Sequence, residues 1–241
     1  MRKLIVIALM ALLPSFGFAA AGNVHLDKAN IDPTDKESLI RGSKTFMQYC
    51  HSCHGIQFMR FNRMGADLGI SDEVLKAEYM FTSEKVGDQM AVALGKDDAS
   101  SYFGTKVPDL SLVSRSRGVD WLYTYMRTFY ADPSRPFGVN NVVFPDVGMP
   151  HVLWDLQGIP TVVKVEKDGH SVIEKLEPGQ PGKLSGEEYD SVVRDLVNFL
   201  SYVGEPMQVQ RTQLGVWVLI FLSVFAVFAY LLKKEYWKDV H

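Results

Sequence analysis

Cys50-His51-Ser52-Cys53-His54 is the stretch that decides how this 241-residue chain folds. Two thiols separated by two residues span about one helical turn, which turns both sulfurs to the same side of the backbone. That spacing lets them reach the two vinyl groups on one edge of a haem, and the histidine that follows at once points at the iron. Three other chemistries use such a pair. A thioredoxin-type redox site wants a strand in front of it, a zinc site wants two further ligands, and a plain disulfide leaves His54 without a role. In front of the motif, Leu39, Ile40, Phe46 and Met47 recur at helical spacing, so a helix is expected over Lys36 to Tyr49. No second cysteine pair exists to complete a zinc site, because Cys50 and Cys53 are the only cysteines.

A haem iron that exchanges electrons quickly needs a sixth ligand, and a thioether sulfur in that place raises the potential. Of the ten methionines, Met149 is singled out by Gly148 before it and Pro150 after it, which hold it in an extended loop. His151 is the chief competitor, two residues on, and an imidazole there would lower the potential. His25, His51 and His170 are further candidates, whereas Met59, Met64, Met80, Met90 and Met126 read as core filler.

The two ends of the chain read as export and anchoring. Arg2 and Lys3, an apolar run from Leu4 to Leu13 and Ala19, Ala20 and Ala21 form a secretory signal peptide over residues 1–21. Leu214 to Leu232 is a run of 19 uncharged, mostly apolar residues, long enough to cross a bilayer. Lys233, Lys234 and Lys238 follow it and place the C-terminus in the cytoplasm. The expected division is therefore a signal peptide at 1–21, an exported domain at 22–210, an anchor at 211–234 and a cytoplasmic tail at 235–241. The exported part carries 19 Lys plus Arg against 26 Asp plus Glu, a formal charge of -7. Such a domain repels nucleic acid and favours a basic partner.

Between these ends, residues 67–101 read as an irregular, partly helical surface insert. Val119 to Tyr130 reads as an aromatic-rich helix closed by Asp132 and Pro133, and Pro136 to Pro150 as a long loop. Thr161 to Val165 and His170 to Leu176 read as a short hairpin turning at Lys167, Asp168 and Gly169. Ser185 and Glu188 form a capping box, followed by an apolar stripe of Tyr189, Val192, Val193, Leu196, Val197, Leu200 and Val203 that Gly204 and Pro206 end. The fold class is mainly α: a c-type cytochrome domain with surface insertions and a short hairpin, plus one C-terminal transmembrane helix.

The order of haem motif, distant Gly-Met-Pro loop and single C-terminal membrane helix resembles the cytochrome c1 family. More specific are Val107-Pro108-Asp109-Leu110-Ser111-Leu112-Val113-Ser114-Arg115-Ser116-Arg117-Gly118 and Met149-Pro150-His151-Val152-Leu153-Trp154. The resemblance implies one covalent haem c on Cys50 and Cys53, with iron held by His54 and Met149. It places Pro108 against the His54 side, its carbonyl accepting the other ring N–H. Arg117 is the residue for a haem propionate, with Arg115 as the fallback. Gly42 and Phe46 resemble the glycine-aromatic contact where the first and last helices of c-type cytochromes cross, against Phe199, Leu200 or Tyr202. In the absence of an extra cysteine pair, packing of Val142, Val143 and Phe144 is expected to hold the Met149 loop.

The function so implied is a cytochrome c1 subunit of ubiquinol-cytochrome c reductase in a bacterial cytoplasmic membrane, with the haem domain in the periplasm. It relays electrons from the Rieske iron-sulfur subunit to a cytochrome c, alongside cytochrome b, in a complex that is dimeric in the family. It is not catalytic alone. Alternatives are a membrane-anchored c-type cytochrome of a terminal oxidase, a haem enzyme with an open iron site and a thiol oxidoreductase.

Overall fold

The computed structural model describes residues 24–92, 94–167 and 170–239, so the signal peptide, its cleavage site, the turn residues Asp168 and Gly169 and the last two residues lie outside the described residues. The first helix, α1 (Lys36–Tyr49), has the bounds its periodicity predicts. Asp35 starts it by accepting from the Ser38 amide at 3.0 Å, and Leu39, Gly42, Phe46 and Met47 form its buried face. The apolar stripe near the C-terminus forms α8 (Gly186–Gly204), opened by the Ser185/Glu188 capping box.

These two helices cross at Gly42. A Cβ placed there would lie 2.0 Å from the carbonyl oxygen of Asp195 and 2.8 Å from Cβ of Phe199, so only glycine lets the backbones come this close. Phe46 fills the adjoining groove, its ring centroid 5.8 Å from that of Phe199. Arg41 braces the crossing through Nε to Asp195 at 2.6 Å.

Between them in sequence lie β1 (Ile56–Arg60), α2 (Phe61–Leu68), α3 (Asp72–Glu78), β2 (Gln89–Met90), α4 (Lys96–Phe103), α5 (Val113–Arg117) and α6 (Val119–Arg127). Then come β3 (Phe129–Ala131), β4 (Val139–Asn141), α7 (Trp154–Gln157), β5 (Gly158–Lys167) and β6 (His170–Pro181), and after α8 the chain ends in α9 (Gln208–Tyr236). Among the described residues the strands form three two-stranded antiparallel sheets: β1 with β2, β3 with β4, β5 with β6. The class is the one expected, a mainly helical c-type cytochrome fold with short hairpins and one long apolar C-terminal helix.

Several local expectations are corrected. The helix expected over Val119 to Tyr130 stops at Arg127. Phe129, Tyr130 and Ala131 instead pair with Asn141, Asn140 and Val139, which makes β3/β4 a hairpin and shortens the expected 136–150 loop. Phe129 is fully buried, and aromatic residues pack as readily on a half-buried strand as on a helix. The second hairpin is longer than expected, because pairing continues through Gly158↔Pro181. The strand β1 and helix α2 directly after the haem motif were not foreseen, although Phe61, Met64, Gly65 and Leu68 recur at helical spacing and form the buried face of α2. Within 67–101 the chain forms three short helical pieces and β2, consistent with a partly helical insert.

The final helix, α9, spans 29 residues, includes a stretch of mean hydropathy 2.5 and is exposed along its length. A helix of that length and composition is long and apolar enough to cross a bilayer, which fits a membrane-anchored protein.

Candidate haem-binding site

The end of α1 delivers the motif. Beyond Cys50 the chain makes one more tight turn, with the amides of Cys53 and His54 both donating to the Cys50 carbonyl at 3.1 and 2.8 Å. This turn brings Cys50, Cys53 and His54 to the wall of one cavity of about 500 Å³, which Tyr49, Val107, Pro108, Met149 and Val152 also line. An adjoining space of about 820 Å³ shares Cys50, His54, Pro108 and Met149 and extends to Leu110, Arg117, Trp121, Tyr125 and Leu200. Residues about 50 and 100 positions apart in the chain therefore meet around one apolar space.

The segment 107–111 reaches His54 because it is stitched to the residues after the motif. The Leu110 amide donates to the Gly55 carbonyl at 2.9 Å. The carboxylate of Asp109 accepts from the amides of Gln57 and Ser111, both at 2.9 Å. The result places Nδ1 of His54 2.8 Å from the Pro108 carbonyl oxygen. A carbonyl can only accept, so the proton sits on Nδ1 and the lone pair on Nε2. Burial lowers the His54 pKa, against the pull of the Pro108 carbonyl and Asp109, and favours the neutral ring that a metal needs.

On the other side, Met149 sits in a loop that side-chain amides hold beside the expected packing, in which Val142 and Val143 are half-buried and the Phe144 ring meets Trp121 edge-on, centroids 6.3 Å apart. Phe144 is 43 % exposed, whereas Asn141 is fully buried. Asn141 Oδ1 accepts from the Val143 and Phe144 amides at 2.9 and 3.1 Å, while its Nδ2 donates to the Tyr125 carbonyl at 2.7 Å. Asn140 Oδ1 accepts from the Asn141 and Asp146 amides, both at 2.9 Å. Asp146 takes a left-handed backbone, φ 60°, which an aspartate tolerates. Arg135 clasps it at 2.9 Å through both carboxylate and carbonyl. Short polar side chains bonding nearby amides are the usual turn chemistry. The adjacent pair Asn140-Asn141 is the sequence signal for it.

Tyr125 was likewise not anticipated. Its Oη donates to Sδ of Met149 at 3.4 Å; burial raises the phenol pKa, which keeps it a donor. His151, the rival ligand, is turned into the core. Its ring stacks on Phe129 with centroids 4.8 Å apart and planes 4° from parallel, and it is absent from the residues lining the two spaces described above. Burial lowers its pKa to about 4.

The two arginines part company. The guanidinium of Arg117 lies 5.1 Å from the Trp121 ring centre and 5.7 Å from that of Phe144, on the cavity wall. Arg115 is bound to Glu205, which also accepts from Arg211 at 2.5 Å.

The arrangement fits a haem. The space is walled mostly by carbon, two thiols stand one turn apart at its edge, and an imidazole with its far nitrogen already committed faces it together with a thioether. Burial pushes the Cys50 thiol up to about 12, the reverse of the depressed value a thiol-exchange nucleophile needs. Fold and site together define a membrane-anchored c-type cytochrome.

Comparison with known proteins makes the class narrower. The model of the Cytochrome C1 family matches residues 27–159 and 185–240, leaving out most of the β5/β6 hairpin. A cytochrome c1 of Allochromatium vinosum is 50% identical over 244 residues, covering 100% of both chains. An ammonia monooxygenase gamma subunit of Nitrosomonas europaea is 46% identical over 248 residues, covering 100% of this chain and 99% of its own. A cytochrome c1 of Rhodobacter capsulatus is 24% identical over 277 residues, covering 98% and 97%. This chain belongs to the cytochrome c1 family, the electron-transferring subunit of the cytochrome bc1 complex, and carries a covalently bound haem c.

Proposed function

We propose that the chain relays single electrons from the Rieske iron-sulfur subunit to a cytochrome c within a quinol-cytochrome c oxidoreductase, beside cytochrome b and in a dimeric complex. The observation that carries this reading is the meeting of Cys50, Cys53, His54 and Met149 around one apolar space in a membrane-anchored chain.

In this reading Cys50 and Cys53 would hold the haem through thioether bonds, and His54 through Nε2 and Met149 through Sδ would hold its iron. A bound haem c would supply a one-electron couple whose potential these residues and the walls set. The chain's contribution is rigidity. Pro108 fixes the His54 ring, and Tyr125 and Asn141 fix the side chain and loop of Met149. Ligands held this firmly have little to rearrange when one electron arrives or leaves. Arg117 is the candidate partner of a propionate, to which its guanidinium can offer two N–H bonds. The commitment of Arg115 to Glu205 makes it the weaker candidate.

The proposed topology has residues 1–21 as a signal peptide, 22–210 in the periplasm, 211–234 across the membrane and 235–241 in the cytoplasm. Lys233, Lys234 and Lys238 support that orientation. The charge of -7 over residues 22–210 suits a basic cytochrome c as acceptor.

The test is to purify the tagged full chain in mild detergent and assay what comes with it. Copurification of b-type haem and a two-iron cluster, with quinol-dependent reduction of cytochrome c that Met149→Leu abolishes, supports the reading. Copurification with an oxygen-consuming oxidase, without quinol-cytochrome c activity, overturns it.

A further inference from the structure

The haem site does not account for how α9 is set against the domain in front of it. Three residues, Glu205, Pro206 and Met207, join α8 to α9. Among the described residues, no side chain of α9 beyond Arg211 bonds to the haem domain. Thr212 and Ser223 donate to carbonyls of their own helix, and Lys238 pairs with Glu235. The direction of a rod of 29 residues is therefore decided at its root. At about 1.5 Å per residue it is about 40 Å long, so a small change of angle there moves the haem domain a long way.

Glu205 stands at that root. Its amide donates to the Ser201 and Tyr202 carbonyls at 3.2 and 3.1 Å, closing α8, and its own carbonyl accepts from the Gln208 amide at 3.0 Å, opening α9. Its carboxylate makes the same connection through side chains. Oε2 accepts from Nη1 of Arg115 on α5, while Oε1 accepts from Nε of Arg211 on α9 at 2.5 Å. Helix α5 is itself seated on α8. Ser114 Oγ donates to the Leu200 carbonyl at 3.0 Å, and a Cβ on Gly204 would lie 2.5 Å from that same Oγ. One carboxylate thus ties the packed domain to the rod.

A lone ion pair between exposed side chains holds little, whereas charges joined in a network hold more. The Glu205 side chain is only 22% exposed. The Arg211 guanidinium, with Arg115 beside it, outweighs burial and keeps the carboxyl below its usual value, so it is charged at neutral pH. Met207 adds a weaker tie, its sulfur accepting from Nη2 of Arg63 at 3.3 Å.

We propose that Glu205 is a positioning residue for electron transfer, its carboxylate clamping Arg115 and Arg211 so that α9 leaves the haem domain at one fixed angle. This rests on the reading of α9 as the anchor of an electron-relaying haem. Electron transfer weakens steeply with distance, so a fixed angle holds the haem edge at one height and attitude over the bilayer, within reach of its partners.

Paired spin labels on the full, haem-loaded chain test this. With Cys50 and Cys53 consumed by the haem, Ser191→Cys on the exposed side of α8 and Val218→Cys on α9 supply the two thiols open to nitroxides. The parent chain should take up none, which checks the attachment separately. The labelled chain, iron reduced, is embedded in phosphatidylcholine nanodiscs, and the separation of the labels is measured by pulsed dipolar spectroscopy. The proposal expects one narrow distance distribution, which Glu205→Gln broadens several-fold while the haem spectrum and the denaturation midpoint stay as they were. Arg211→Gln, outside the haem domain, should broaden it equally, and the two changes together no further. It also serves should Glu205→Gln fail to fold. A distribution as broad before these changes as after them overturns the proposal. So does a narrow distribution that survives either change, because Pro206 and the backbone bonds then hold the angle without the clamp. Both results leave the anchor reading standing; a chain that stays out of the nanodiscs overturns that reading and the proposal with it.

Discussion

Oη of Tyr125 donates a hydrogen bond to Sδ of Met149 across 3.4 Å, which ties the loop methionine to α6. The tyrosine is stacked on Trp121, ring centroids 4.9 Å apart, so its hydroxyl is aimed by packing. A donor on a thioether draws electron density from the sulfur and disfavours the oxidised iron. Tyr125→Phe is expected to lower the reduction potential while keeping the fold. A hydrogen bond worth about 1 kcal/mol corresponds to about 40 mV for one electron. A redox titration checks it.

The loop has its own support in Asn141. Asn141→Ala leaves the Val143 and Phe144 amides without this partner and the Tyr125 carbonyl with only the Thr128 amide at 3.4 Å, each orphaned amide costing about 1–3 kcal/mol if it stays buried. The expected outcome is a weakened Met149-iron bond, read as tighter binding of added imidazole to the oxidised protein. Val142→Ala, whose side chain carries none of these bonds, is expected to change that binding little.

Gly42→Ala tests the helix crossing. The added methyl meets the Asp195 carbonyl at 2.0 Å, and backbone cannot swing aside as a side chain can. Overpacking of this kind costs about 1–3 kcal/mol or more. A lower denaturation midpoint and poorer haem retention are expected, measured by urea unfolding followed at the haem absorbance.

How much of this was legible in the sequence follows from how local each signal is. The haem motif, α1, α8 with its capping box and α9 rest on spacing within one element, and all are where the residues put them. The crossing at Gly42 and the contact of Pro108 with His54 were accessible through family resemblance, although nothing local joins residues more than 50 positions apart. Asn140, Asn141 and Tyr125 were missed because their roles are tertiary: an asparagine in a loop reads as turn chemistry whichever amides it serves. The end of α6 was missed because Phe129 and Tyr130 suit either a helix or a strand, and pairing with β4 decided it.

Asp120 gives the pH dependence. Its carboxylate accepts from Lys28 Nζ at 2.7 Å and from the Ala29 amide at 3.0 Å, holding the N-terminal segment on α6. Burial raises its pKa, but these bonds outweigh it and leave the value below the usual 3.8. With the folded value depressed, the stabilisation is present above pH 3.8 and is lost as pH falls through the folded value. Thermal melts should show Asp120→Asn less stable than the parent at pH 7, the gap closing in strong acid.

The most direct test of the site is the optical spectrum of the purified full chain, oxidised and reduced, for the parent, Met149→Leu and His151→Ala. The account predicts a low-spin c-type haem with the weak long-wavelength sulfur-to-iron band, abolished by Met149→Leu and retained in His151→Ala, whose ring stacks on Phe129 away from the cavity. A high-spin parent, or loss of the low-spin spectrum in His151→Ala with Met149→Leu unaffected, would contradict it.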